Sequence, residues 1–128
     1  LYSRVVVAQV RLFWPWRPFA DKPEGPASRA DAYWQGYRVN ALAGVQQMLQ
    51  LQQVVRQRLE RITQPLLVVQ GRLDRTVAAE VPALLVRETH SSEIEVHWLA
   101  ESGHCTTIDA EWETVVALSL AFIGRVSR

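Results

Sequence analysis

Residues 65–77 read Pro65-Leu66-Leu67-Val68-Val69-Gln70-Gly71-Arg72-Leu73-Asp74-Arg75-Thr76-Val77. A continuous aliphatic run opens on a proline and closes at a glycine. A strand buried on both faces has this pattern, and such strands belong to parallel sheets covered by helices. Just beyond the run stands a carboxylate, Asp74. Further on, residues 94–99 (IEVHWL) form a second candidate strand, and the loop Ala100-Glu101-Ser102-Gly103-His104-Cys105 that follows presents an imidazole.

The intervening residues complete an alternating pattern. A helix is expected from about Ala79 to Thr89, with Pro82 tolerated in its first turn. Asp109 is placed to cap a final helix from about Ala110 to Gly124. Strand, helix, strand, helix with short connections predicts parallel pairing through a right-handed crossover. In sheets of this kind, functional groups sit in loops beyond the C-terminal ends of the strands. Neighbouring strands lie ~4.8 Å apart, so side chains from adjacent loops can touch. A carboxylate so placed fixes the tautomer of a histidine and stabilises its protonated form. Each residue alone has a blander reading: aspartate as a turn former, histidine as an ordinary loop residue. Acid then histidine, each at the end of its own strand with a glycine beside the histidine for a sharp bend, favours the pair.

Upstream, Ala41 to Ile62 is strongly helical in pattern. Leu42, Val45, Met48, Leu49, Val55, Leu59 and Ile62 recur at three- and four-residue steps and are expected to pack into a core. The helix should stop before Pro65, because proline disfavours helical geometry in the residue ahead of it. Residues 29–38 (RADAYWQGYR) form a short amphipathic stretch. Before them, Pro15, Pro18, Pro23 and Pro26 exclude a continuous helix or central strand and mark an ordered loop or segment boundary. Residues 1–13 suit a helix or, through Val5-Val6-Val7, a strand.

Composition places the chain among ordinary globular proteins: 128 residues, 48% hydrophobic and 21% charged, enough for one core and too short for two. A net charge of +1 offers no large field to attract nucleic acid or an anionic membrane. No apolar run reaches the roughly 20 residues of a membrane span. The single cysteine, Cys105, excludes an internal disulfide framework and fits a reducing, cytoplasmic setting. No spacing among His90, His97, His104, Cys105 and the acids reads as a metal site. Glu95 and His97 alternate with Val96 and Trp98, as on a strand open on one face near a sheet edge. The chain starts at Leu1 within regular structure and without a basic leader, so its first residue is expected to be a cut point.

PLLVVQGRLDRTV followed by VHWLAESGHCTTID resembles the closing segment of α/β-hydrolases, in the carboxylesterase and monoacylglycerol-lipase-like branch. Members of that branch show a strand with G-x-x-D, then a strand with S-G-H and a following aspartate. The Ile62 to Pro65 turn also resembles the element that precedes the family's penultimate strand. The resemblance is good over residues 37–126 and loose over 1–36, where the family inserts a variable cap. It implies a cap or lid segment at 1–36 and the C-terminal part of an α/β-hydrolase core at 37–128, with two parallel strands, flanking helices and an incomplete sheet. It further implies Asp74 as triad acid, His104 as general base, Gly71 and Gly103 as backbone-permissive turn residues, an acyl ester as substrate and no cofactor or metal. By position, Trp14, Trp16 and Phe19 would roof an acyl chain.

The departure from the family is the nucleophile. No G-x-S-x-G elbow frames Ser3, Ser28, Ser91, Ser92, Ser102, Ser119 or Ser127. Cys105 adjoins His104 in sequence and points away from it in an extended loop, so it is read as a small apolar residue rather than a substitute. The chain is therefore expected to supply acid and histidine to a serine hydrolase and to be inactive alone. It would be completed by an N-terminal half of the fold, or would self-associate through an exposed strand edge. The alternative is a non-catalytic α/β-hydrolase-like module that binds a small apolar ligand or a partner.

Overall fold

The computed structural model describes residues 19–21, 29–33, 36–37 and 39–127. In chain order these form β1 (Phe19–Asp21), a 3-10 turn (Arg29–Ala32), β2 (Val39–Ala41), α1 (Leu42–Arg56), a second 3-10 turn (Leu59–Arg61), β3 (Leu66–Gly71), α2 (Val81–Glu88), β4 (Ile94–Leu99) and α3 (Trp112–Val126). They fall into two compact units. One holds β1, β2 and α1; the other holds both 3-10 turns and everything from β3 onward.

In the second unit the aliphatic run and the IEVHWL segment are strands, paired in parallel from Leu66↔Ile94 to Gly71↔Leu99. Parallel pairing needs a crossover, and α2 supplies it. Pro82 occupies the first turn of α2, where its missing N–H is no loss, and is fully buried. The helix ends at Thr89, whose hydroxyl donates to the Leu85 carbonyl at 2.7 Å. The strand starts are joined by Leu66 N–H donating to Glu93 O at 2.8 Å, and His90 N–H donates to Ile62 O at 2.9 Å. Helix α3 packs on β3, and its Val115 and Phe122 are buried. At its far end the Arg125 guanidinium donates to Glu93 at 2.7 Å and also pairs with Glu95, tying the helix to β4.

The burial of β3 and the start of the last helix differ from the sequence expectation, whereas the incomplete sheet agrees with it. β3 is not buried on both faces: Leu66 to Val69 are half-buried, and only Gln70 and Gly71 are enclosed. Each strand has a single partner among the described residues, so one edge of β3 and one of β4 carry no described neighbour. The final helix starts at Trp112 rather than Ala110, and Asp109 does not cap it; the Asp109 carboxylate accepts from Gly103 and Ala110 N–H instead.

In the first unit, β1 and β2 form a short antiparallel ribbon, Phe19↔Ala41 to Asp21↔Val39. Neither was expected as a strand. β1 fits between Pro18 and Pro23, which tolerate a three-residue edge segment. Helix α1 ends at Arg56, well before Pro65, and the chain then tightens into the second 3-10 turn. The apolar stripe on α1 is not a packed core. Leu42 is buried and Val45 and Leu49 are half-buried, whereas Met48 is 42% and Leu51 61% exposed. Hydrophobic spacing shapes a helix face but does not supply what covers it. Trp14, Trp16, residues 1–13 and the side chain of Phe19 lie outside the described residues.

Leu99, only 2% exposed, closes β4 directly beneath the second loop. Leu99→Ala should lower unfolding stability by about 2–5 kcal/mol, read as a shift of the urea midpoint at unchanged slope.

Candidate active site

Parallel pairing ends at Gly71↔Leu99, so the two loops leave the sheet side by side. Arg72 N–H donates to Leu99 O at 2.8 Å, and Leu73 N–H donates to Ser102 O at 3.1 Å. Gly71 decides how close the loops come. A Cβ built there would lie 2.1 Å from the Ser102 carbonyl oxygen and 2.4 Å from that of Gly103, which no side chain tolerates. Its role is room rather than backbone freedom: no described glycine has a positive φ. Gly103 needs neither: its φ is not positive, and a Cβ there would meet only Asp109 Oδ2 at 3.4 Å, an ordinary contact. The expectation that both serve as conformationally permissive turn residues is thus replaced by a packing requirement at Gly71.

Asp74 and His104 meet across this junction. His104 Nδ1 lies 3.1 Å from Asp74 Oδ2. An ionised carboxylate only accepts, so the ring donates through Nδ1–H, and Nε2 carries the lone pair when the ring is neutral. Among the described residues Nε2 has no hydrogen-bond partner, and the His104 side chain is 50% exposed against 5% for Asp74. The carboxylate is enclosed and the imidazole faces outward.

The two oxygens of Asp74 divide the work. Oδ1 accepts from Thr76 N–H at 2.7 Å and Val77 N–H at 2.9 Å, which closes the acid loop into a turn. Oδ2 is left for the histidine. Burial pushes the Asp74 carboxyl up, but the Val77, His104 and Thr76 hydrogen bonds together outweigh it and hold the group below its ordinary value. Gln70 braces the loop from below. It is buried, and its Nε2 donates to Val77 O at 3.2 Å and Ala78 O at 3.4 Å. Nothing in an aliphatic run ending in glutamine signals this; the glutamine reads as the strand's last polar residue.

Three of the described serines, Ser91, Ser102 and Ser119, are committed elsewhere. Ser102 is fully enclosed and donates to Glu111 Oε2 at 2.8 Å. Ser91 donates to Glu93 O and Ser119 to Val115 O. Cys105 is a half-buried free thiol next to the histidine in sequence. The pair is thus an aspartate and a histidine in hydrogen-bond contact at the ends of adjacent parallel strands.

A parallel strand pair with flanking helices, an acid after one strand and a histidine after the next define the α/β-hydrolase class. The sequence model of the family described as serine aminopeptidase, S33, matches residues 20–111, and the chain belongs to that family. Among solved structures it is similar to a chain described with LipS and LipT, two metagenome-derived lipolytic enzymes that increase the diversity of known lipase and esterase families. The TM-score is 0.82 at 25% identity, over 97% of this chain and 50% of that one. The chain thus spans half the length of that structure, as the C-terminal part of an α/β-hydrolase. Among curated proteins no sequence matches.

Two outcomes follow from this geometry. Gly71→Ala should force the Ser102–Gly103 backbone away and cost at least about 1–3 kcal/mol, measured by chemical denaturation. The folded state holds Asp74 below its unfolded value, so its contribution to stability is complete above about pH 4 and is lost as the pH falls through the folded value. Thermal melts of the wild type should therefore decline below about pH 4 more steeply than those of Asp74→Asn.

Proposed function

We propose that this chain supplies the acid, Asp74, and the general base, His104, of a serine hydrolase that cleaves carboxylic acyl esters. The observation that supports this reading is the 3.1 Å contact between His104 Nδ1 and Asp74 Oδ2 at the mouths of adjacent parallel strands. In the proposed cycle, Nε2 of His104 takes the proton of a serine hydroxyl as its oxygen attacks the ester carbonyl. The imidazolium then returns that proton to the departing alcohol, while Asp74 stabilises the charged ring. Water repeats the two steps and releases the acid.

The serine and the donors that stabilise the carbonyl oxygen would come from a companion segment of the fold, and the chain alone is inactive on this reading. Two features favour such a companion over a self-sufficient domain. The two-stranded sheet is below the size that is stable by itself. Helix α3 also carries an exposed apolar stripe, Trp112, Val116, Leu120 and Ile123, at helical spacing to one side of its buried Val115 and Phe122. No described helix is long and apolar enough to cross a membrane. The free thiol of Cys105 favours a reducing, cytoplasmic setting.

A second reading rests on the fold alone, which does not by itself imply catalysis. A binding module without catalysis would keep the fold and lack the serine. Both readings are tested in the full-length gene product with p-nitrophenyl esters and a fluorophosphonate that labels activated serines. The hydrolase reading expects labelling, turnover, loss of turnover in His104→Ala, and a fall of about 10⁴-fold in kcat for Asp74→Asn, whose amide favours the wrong tautomer. Undiminished hydrolysis in His104→Ala would remove the proposed mechanism.

A further inference from the structure

His104 follows a stretch of loop whose N–H groups at Ala100, Glu101 and Gly103 are held by two carboxylates from just before the last helix. Glu111 occupies the residue before α3, yet its side chain makes no cap to its own helix. It turns back to the loop instead. Oε1 accepts from Ala100 N–H at 3.1 Å, and Oε2 accepts from Glu101 N–H at 2.9 Å and Ser102 Oγ–H at 2.8 Å. The main chain of Glu111 completes a ring by donating to the same Ser102 hydroxyl at 3.3 Å. Asp109, 1% exposed, takes the next link: Oδ2 accepts from Gly103 N–H at 2.8 Å, while Oδ1 accepts from Ala110 N–H at 2.9 Å. Four consecutive residues, Ala100 to Gly103, are thereby fixed on one side by carboxylates. On the other side lies the Gly71 backbone, with no space between. The next residue is His104, whose half-exposed ring has one described tether, Asp74.

We propose that Asp109 and Glu111 are positioning residues that present the His104 imidazole to Asp74 and to the reacting group by gripping the Ala100–Gly103 backbone. The proposal rests on the hydrolase reading above and deepens it. Neither carboxylate touches the ring; each acts through peptide groups. Their purpose is accuracy. A loop that must aim a half-exposed ring has few contacts of its own to spend on holding still, and a displacement of about 1 Å at a reacting group can cost 100-fold in rate. Carboxylates suit this task better than neutral acceptors, because bonds from N–H and O–H to an ion are shorter and roughly twice as strong. The Ser102 and peptide N–H bonds hold the Glu111 carboxyl below its ordinary value, with burial opposing them, so the grip stays ionised at neutral pH.

The test uses the full-length protein and four variants: Glu111→Gln, Asp109→Asn, Glu111→Asp and Ser102→Ala. Steady-state kcat and KM for p-nitrophenyl butyrate are measured beside the His104 Nδ1–H proton resonance in the NMR spectrum. The expected result for Glu111→Gln and Asp109→Asn is a kcat about 10- to 100-fold lower, with KM within about threefold of wild type and a weakened or lost Nδ1–H signal. Glu111→Asp, which keeps the charge, should recover part of both. A merely structural role predicts a lower melting temperature with kcat and the Nδ1–H signal intact below the transition. Folded Glu111→Gln and Asp109→Asn with kcat within about twofold of wild type would overturn the proposal. So would a fall in kcat with the signal untouched. Should Glu111→Gln fail to fold, Ser102→Ala, which breaks one link of the ring and leaves both carboxylates, decides by the same two readouts. Absence of hydrolysis in the wild type would instead defeat the hydrolase reading, and the Nδ1–H signal alone would then decide this one: its persistence in both variants overturns it.

Discussion

Where the Gly71 Cα meets the carbonyl of Ser102 there is no room for a methyl group. That contact sets the separation of the acid loop from the histidine loop. The parallel ladder carries the two chains to a common edge, but the ladder spacing of ~4.8 Å describes strands and not the loops that leave them. Beyond Leu99 the loops are free to diverge, and they stay together because Leu73 N–H reaches Ser102 O across the space that glycine leaves. The Asp74–His104 bond is a consequence of this approach. It pairs groups that the backbone has already brought within reach.

Around that junction stand three carboxylates, each satisfied in a different way. A carboxylate withdrawn from water needs compensating donors. Asp74 has two backbone N–H groups and the ring; Asp109 has two backbone N–H groups; Glu111 has two backbone N–H groups and a hydroxyl. The polar bonding of the second unit is concentrated here. Elsewhere on it the charged contacts are surface pairs, such as Arg87 with Glu88, which contribute little to stability. The geometry of the junction is therefore held by charge-assisted bonds, while the sheet beneath it is held by aliphatic packing.

Apolar residues on both long helices face outward. On α3 the exposed stripe adjoins the buried face of Val115 and Phe122, so the apolar surface of the helix is wider than the part that is covered. On α1 only Leu42 is enclosed. Both patterns fit a fold in which further elements complete the layers, consistent with a match spanning half of the lipolytic relative. They also show the limit of hydrophobic spacing as a guide to a core: the spacing of Met48, Leu49 and Val55 marks a face, and burial depends on what lies opposite.

From sequence alone, the order of elements from the first long helix onward, the parallel pairing and the acid–histidine pair were legible, because each rests on local signals. An aliphatic run ending in glycine, a crossover helix with an early proline and a carboxylate and an imidazole at strand ends are all properties of consecutive residues. The β1–β2 ribbon was not legible, since three-residue strands between prolines carry no periodicity. Nor were the hydrogen-bond partners of Gln70, Asp109 and Glu111. Gln70 reads as a strand end and Asp109 as a helix cap; which donor a side chain finds depends on the path of another loop. Tertiary structure alone decided why Gly71 is glycine. The sequence announces a turn there, whereas the requirement is for empty space, and empty space exists only once a second stretch of backbone has arrived to fill it.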